Sequence, residues 1–283
     1  MTKQDELTNF VRLSQSVGQS AAYVQGGGGN TSVKFSDGIM AVKASGTTLK
    51  GLTEDAGYVL VNTAKVKQHL IDAKDEADFA EKLKQSTDNI SVRPSMETGF
   101  HAALARYVVH THSVYANVLN CSVEGHDMLH DLFPDAKWIP YCSPGRALSL
   151  AVSSTPDTTL FFLQNHGIIV CGPKADDVRD LHEAVNRKIR DRLSLIDDFS
   201  VEDEDIFNPA YMEDHILFPD QAIYTDPHND LSDTDASKET LAAYAYIHRS
   251  AQKLGLTLRF LEKSDTAFLR NMDSEKYRMG ITK

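Results

Sequence analysis

Apolar positions along this chain follow two rhythms, one helical and one alternating, and the switches between them outline the elements. Near the start, Leu7, Phe10, Val11 and Val17 recur close to the helical repeat, which predicts an amphipathic helix over residues 5–18. The run Gly26 to Gly29 breaks that pattern, because consecutive glycines lose too much backbone entropy inside a helix. With Asn30-Thr31-Ser32 it reads as a loop entering strands. Strands are expected at Ser32 to Phe35 and Ile39 to Ala44, joined by a Ser36-Asp37-Gly38 turn, and again at Tyr58 to Val61. Residues 63–86, rich in Ala, Lys, Glu and Leu, read as one or two surface helices.

Farther along, a helix is expected to begin near Glu97 and carry Phe100, Ala103 and Leu104, followed by a buried strand Tyr107-Val108-Val109 that ends at His110-Thr111-His112. Trp138 to Pro140 and Thr159 to Gln164 read as strands around a helix at Ala147 to Val152. Val178, Leu181, Val185, Ile189 and Ile196 fit one long helix. The chain then turns acidic, with Asp197-Asp198 and Glu202 to Asp205, which predicts a solvated connection: spaced glycines and ligands of a calcium loop are missing. The expected division is a catalytic domain over residues 1–205 and an extension over 206–283 packed on it, with a strand at Phe218 to Tyr224 and a helix over 237–254.

Composition narrows the function classes. At 283 residues and 41% apolar side chains the chain can bury a large core. Forty acidic against 29 basic residues give a formal charge of -11, which opposes nucleic-acid backbones and anionic membranes at long range, so neither is an expected partner. Any phosphate must be captured locally. Met1 to Glu6 lacks a basic start followed by an apolar run, and eighteen consecutive apolar residues occur nowhere, so an untargeted cytoplasmic protein is expected. Cys121, Cys142 and Cys171 are odd in number and widely spaced, which predicts reduced, buried thiols rather than disulfides or a thiolate zinc site.

The sharpest chemical signal is His110-Thr-His112 at the end of an apolar strand. Alternate residues of a strand share a face, so both imidazoles can reach one metal; by itself the pair reads equally well as two polar residues at a strand end. His166 follows another apolar strand and precedes Gly167, which would allow a tight turn and close approach there. Glu97 adds a carboxylate, and one carboxylate beside three neutral imidazoles leaves a divalent ion with net positive charge, suited to an anionic intermediate. His101, four residues after Glu97, reads either as a group orienting that carboxylate or as a satisfied buried histidine. The Gly26 to Asn30 loop can present N–H groups to an anion, but it fits neither nucleotide-binding fingerprint. The turn Ala44-Ser45-Gly46 and Ser95 offer further donors.

Taken in order, Gly-Gly-Asn30-Thr-Ser, Ala-Ser45-Gly46, Pro-Ser95-Met-Glu97, Val-Val-His110-Thr-His112 and Gln-Asn-His166-Gly167 resemble the class II aldolase/adducin family over roughly residues 1–200. The four-glycine form, Phe218-Pro-Asp220 and the ending Asn271 to Arg278 look most like the aldolase half of bifunctional rhamnulose-phosphate aldolase/dehydrogenase proteins. The resemblance implies an α/β fold, a three-layer α/β/α sandwich with a largely antiparallel central sheet, and a homotetramer with active sites between neighbours. It implies Zn²⁺ or another divalent cation on His110, His112, His166 and Glu97, with Glu97 also acting as acid/base. Gly29, Asn30, Ser45, Gly46 and Ser95 would hold a substrate phosphate, although Met96 stands where sugar-phosphate aldolases often carry Ser. An acid/base borrowed from the neighbouring subunit is expected at Asp127, with Glu124 as its rival. The implied activity is that of an aldehyde-lyase of carbohydrate metabolism, cleaving a ketose phosphate or related sugar derivative through a metal-bound enediolate. Epimerisation, dehydration or decarboxylation are the same-fold alternatives, and a non-catalytic adducin-like module is a further one.

Overall fold

Short apolar runs rich in Val, Ile and Phe form the strands of this protein, because branched and aromatic side chains fill a pleated, buried surface well. The computed structural model describes residues 2–87, 92–199, 208–226, 228, 231 and 233–282. Seven strands make one sheet: β1 (Asn30–Lys34), β2 (Ile39–Lys43), β3 (Tyr58–Asn62), β4 (Tyr107–Thr111), β5 (Lys137–Ile139), β6 (Leu160–Leu163) and β7 (Gly167–Gly172). Their order is β3-β2-β1-β4-β7-β6-β5, antiparallel throughout except for the parallel pair β5 and β6. β4 is therefore the central strand, with Asn30 of β1 opposite His110 on one side and Ile169 of β7 opposite it on the other.

Helices cover both faces. Among the described residues they are α1 (Lys3–Gly18), α2 (Thr63–Asp72), α3 (Glu76–Lys84), α4 (Thr98–Ala103), α5 (Val114–Asn120), α6 (Gly125–Leu132), α7 (Arg146–Ser153), α8 (Ala175–Arg192), α9 (Pro209–Asp214), α10 (Pro219–Tyr224), α11 (Asp235–Leu254), α12 (Lys263–Asn271) and α13 (Asp273–Thr282). Along β4 the alternation is visible residue by residue: Tyr107 and Val109 join the core that includes Phe10, Val178 and Val185, whereas Val108 joins the opposite core with Phe100, Leu148 and Val152. α1, α5 and α8 lie on the first face; α2 and α4 lie on the second, with α7 packed on α4. The result is the three-layer sandwich expected from the sequence, with a largely antiparallel sheet.

Local chemistry sets the helix ends. Thr2 and Asp5 close a reciprocal capping box on α1. α8 begins with Asp176 and Asp177 and ends with Arg190 and Arg192, each matched to the helix dipole. It stops short of the expected end, so Ile196 lies beyond it, 64% exposed. Asp197 is less solvated than a free connection would be, accepting hydrogen bonds from Tyr115 at 2.6 Å and Arg190 at 3.2 Å. Glu202 to Asp205 lie outside the described residues.

One expectation needs correction. Phe218 to Tyr224 is no strand: Pro219 to Tyr224 form α10, with Pro at the helix start. There the fixed φ of Pro favours helix and its missing N–H costs nothing, while burial on every side hid the helical period. The tight turn and close approach expected at His166-Gly167 are both present, and Gly167 itself opens β7. The turn itself is Gln164 to His166, with Asn165 at φ 53°, and a Cβ on Gly167 would stand 2.2 Å from the Thr111 carbonyl oxygen. Only glycine lets β7 approach β4 there.

Beyond residue 208, α11 lies against α5, and α10 touches α11, α12 and α13. This segment also reaches the end of β4, where the histidines are.

Candidate metal centre

The end of β4 brings His110, and His112 just beyond it, to one end of the sheet, and the β6–β7 turn delivers His166 beside them. All three are buried, and each offers a ring nitrogen within 4.8 Å of the others. His110 Nε2 and His112 Nε2 are 3.1 Å apart. Glu97, just before α4, places Oε2 3.5 Å from His110 Nε2 and Oε1 3.6 Å from His166 Nε2. Four residues distant in sequence thus surround one point.

Hydrogen bonds at the far side of two of the rings fix their tautomers. His110 Nδ1 donates to the Ile168 carbonyl at 2.9 Å, and His112 Nδ1 donates to Asp220 Oδ2 at 2.7 Å. Both protons therefore sit on Nδ1, and the two Nε2 atoms facing each other are lone pairs, an arrangement that a cation between them satisfies. Burial pushes the His110 pKa down to about 4 and holds that of His166 well below the usual imidazole range, so both rings are neutral and able to ligate. Glu97 Oε1 and His166 Nδ1 are buried without a hydrogen-bond partner. The orphaned carboxylate oxygen, the opposed lone pairs and the all-nitrogen imidazole set fit a divalent ion.

Glu97 is held from behind. Asn30 Nδ2 donates to Glu97 Oε2 at 2.7 Å and lies 3.3 Å from Ser95 Oγ. His101 supports Asn30 rather than touching Glu97 itself: its Nε2 donates to Asn30 Oδ1, and its Nδ1 meets Ser32 Oγ at 2.7 Å. Of the two readings the sequence left open, His101 is a satisfied buried histidine that acts on the carboxylate only through Asn30.

The cavity at this point is small, about 40 Å³, and Gly29, Asn30, Ser45, Gly46 and Ser95 line it together with Glu97, His112 and His166. Lys43, Asp220, Glu275 and Arg278 also line it, and sequence reasoning did not single them out as site residues. Lys43 ends the apolar strand β2 and is 3% exposed, donating from Nζ to the Gly27 carbonyl at 2.9 Å; burial lowers its pKa to about 7. A lysine at the close of a buried apolar run was the available signal. Arg278 Nη2 sits 2.6 Å from Asp220 Oδ1 and 2.7 Å from Glu275 Oε2. Phe218-Pro-Asp220 and Asn271 to Arg278 entered the sequence reading only as carriers of a resemblance; long-range packing of α10 and α13 is what brings Asp220, Glu275 and Arg278 to the site.

Asp127 lies elsewhere, on α6, 91% exposed at its side chain and bonded to its neighbour His126 at 2.8 Å. It does not line this cavity. Glu124 is engaged in the fold, accepting from the Thr257 backbone N–H at 3.0 Å; a bond from its own backbone N–H, and then the one from Thr257, lower its pKa.

The profile of the Class II Aldolase and Adducin N-terminal domain matches residues 9–192. This chain belongs to the class II aldolase/adducin family. Among curated family relatives it is 33% identical over 112 residues to a 3-oxo-tetronate 4-phosphate decarboxylase of Escherichia coli, a match covering 33% of this chain and 50% of that protein. With the enzyme of the same description from Haemophilus influenzae the identity is 26% over 204 residues, covering 65% of this chain and 86% of the other. The chain thus spans about half the length of the first relative and most of the second. Of solved structures, the N-terminal class II aldolase domain of a conserved Thermoplasma acidophilum protein superposes with a TM-score of 0.61 at 25% identity, covering 68% of this chain and 94% of that one. YgbL from Escherichia coli has a TM-score of 0.52 at 18% identity over 95% of this chain and 99% of its own, a likeness of fold.

Proposed function

We propose that this protein is a divalent-metal-dependent carbon–carbon lyase that decarboxylates a small 3-oxo sugar-acid phosphate. The observation that carries the proposal is the convergence of three buried imidazoles beside one carboxylate at the end of the central strand. The donor set suits Zn²⁺ with His110, His112, His166 and Glu97 as ligands; when bound, such an ion supplies Lewis-acid polarisation of a substrate carbonyl.

The chain's own groups would do the rest. Gly29, Asn30, Ser45, Gly46 and Ser95 would receive the phosphate, in the cavity they share with Glu97. Lys43 also lines this cavity and would donate to a substrate anion, while Arg278 is already paired with Asp220 and Glu275, so the bound cation would supply the remaining charge for a carboxylate beside the phosphate. Asn30 occupies Glu97 Oε2, and Oε1, once protonated from solvent, would deliver that proton to the carbon from which carbon dioxide departs. Decarboxylation is favoured because the two relatives named above are both described as decarboxylases of an oxo-acid phosphate.

Aldol cleavage of a ketose phosphate is the second reading, and the retained glutamate at position 97 favours cleavage over epimerisation. It needs one more acid/base for the departing aldehyde, which Asp127 of a neighbouring subunit in a homotetramer would provide. Reduced thiols at Cys121, Cys142 and Cys171 agree with a cytoplasmic setting. Among the described residues no helix is long and apolar enough to cross a membrane. Zn²⁺-loaded protein incubated with carboxyl-labelled 3-oxo acid phosphates and with ketose phosphates, followed by carbon NMR, separates the outcomes: labelled bicarbonate supports decarboxylation, and an aldehyde product supports aldol cleavage. Metal-loaded protein that turns over neither class would overturn the proposal.

A further inference from the structure

Of the three imidazoles, His112 alone faces a carboxylate on its far side; His110 faces a backbone carbonyl, and His166 Nδ1 has no partner. That carboxylate, Asp220, stands in the first turn of α10 and is 1% exposed. Both of its oxygens are committed, Oδ2 to His112 Nδ1 at 2.7 Å and Oδ1 to Arg278 Nη2 at 2.6 Å. Arg278 is in turn gripped by Glu275 at 2.7 Å and lies 5.1 Å over the Tyr224 ring. The glycine loop is shaped around the pair: a Cβ on Gly28 would stand 2.5 Å from Asp220 Oδ2 and 2.9 Å from His112 Nδ1. Elements from both ends of the chain, the loop before β1 and the helices α10 and α13, therefore close on one histidine.

We infer that Arg278, Asp220 and His112 form a positioning chain through which the carboxyl-terminal helix α13 sets the affinity of the metal centre. Asp220 fixes the proton on His112 Nδ1 and points the Nε2 lone pair at the shared centre, raising its strength as a ligand. Arg278 holds the second oxygen of Asp220 and so keeps it aligned inside a dry environment, where an unpaired carboxylate would be costly. The inference rests on the reading of the histidines as metal ligands, and it adds residues of a segment beyond the matched 9–192 region to the centre.

The test is Zn²⁺ affinity of the full chain, measured by competition with a chromophoric chelator, alongside the thermal stability of the metal-free proteins. Asp220→Asn is expected to weaken Zn²⁺ binding roughly 10- to 100-fold, the range found for such outer partners. Arg278→Met should weaken it less, Arg278→Lys should restore most of the loss, and Asp220→Asn with Arg278→Met should be no worse than Asp220→Asn alone. Arg270→Met is the control for packing, since it breaks an ion pair to Asp226, 3.0 Å long, and a hydrogen bond to the Ala222 carbonyl of α10, while Arg270 contacts none of His112, Asp220 and Arg278. Equal affinity of Asp220→Asn and wild type, or a loss in Arg270→Met as large as in Arg278→Met, overturns the inference. Should Asp220→Asn not fold, the comparison of Arg278→Lys with Arg278→Met decides alone. Wild-type protein that takes up no Zn²⁺ overturns the metal reading itself, a distinct result.

Discussion

On the sheet side of the cavity, His110 belongs to a strand hydrogen-bonded along both edges, and His166 hangs from a hairpin turn that Asn120 and Asn165 tie to the backbone around it. On the opposite wall, Asp220, Glu275 and Arg278 stand on α10 and α13, helices outside the sheet's hydrogen-bond ladder. The sheet holds the ligating nitrogens in place through the backbone ladder, where a shift of one residue would turn every side chain to the other face. The helical wall holds charge instead, and charge needs partners more than it needs register. Position and electrostatics are thus supplied by different parts of the chain.

Removing a group from the sheet side should do the most damage. His112→Ala is expected to abolish both metal retention and turnover, measured by elemental analysis of purified protein and by product formation; full activity in the metal-depleted variant would sink the assignment. Gly28→Ala tests the seam between the two walls. Its methyl must displace Asp220 or His112, since 2.5 Å and 2.9 Å are far inside contact distance, so metal affinity should fall by about tenfold or more while the apo protein loses roughly 1–3 kcal/mol in urea titration.

Acid should discriminate next. Burial lowers the pKa of His182 to about 3 and that of His110 to about 4, so both are neutral when folded and titrate near 6.5 when unfolded. Their folded pKa values lie below the unfolded ones, so the stability linked to them is complete above pH 6.5 and drains away as pH falls toward 4 and 3. Urea midpoints of metal-free protein across pH 7 to 4 should record that decline, and bound metal should lessen the part due to His110. A flat profile would show that these rings are not buried neutral.

The smallest effects are expected farther out. His101→Gln should leave metal content intact but lower kcat by about tenfold, because Asn30 loses its brace and Glu97 its orientation. Asp127→Asn should leave folding and metal content unchanged given its exposure; a fall in kcat confined to this variant would identify it as a group serving a neighbouring subunit, and unchanged kcat would remove it from the mechanism.

How much was legible in the sequence follows from which interactions are local. The alternation of Tyr107-Val108-Val109 predicts a buried strand because pleating forces neighbours to opposite faces, and the same rule puts His110 and His112 on one centre. The helices α1, α8 and α11 are likewise written in their apolar periods. Phe218 to Tyr224 misled because burial on all sides removes the polar face by which a helical period is recognised. Tertiary structure alone decided that Asp220 and Arg278 stand behind His112, that Gly28 must be bare to admit them, and that Lys43 faces the cavity. Periodicity reports which way a side chain points relative to its own backbone. Which distant group it meets is set by the packing of whole elements, a balance of burial summed over the fold that no short stretch of residues encodes.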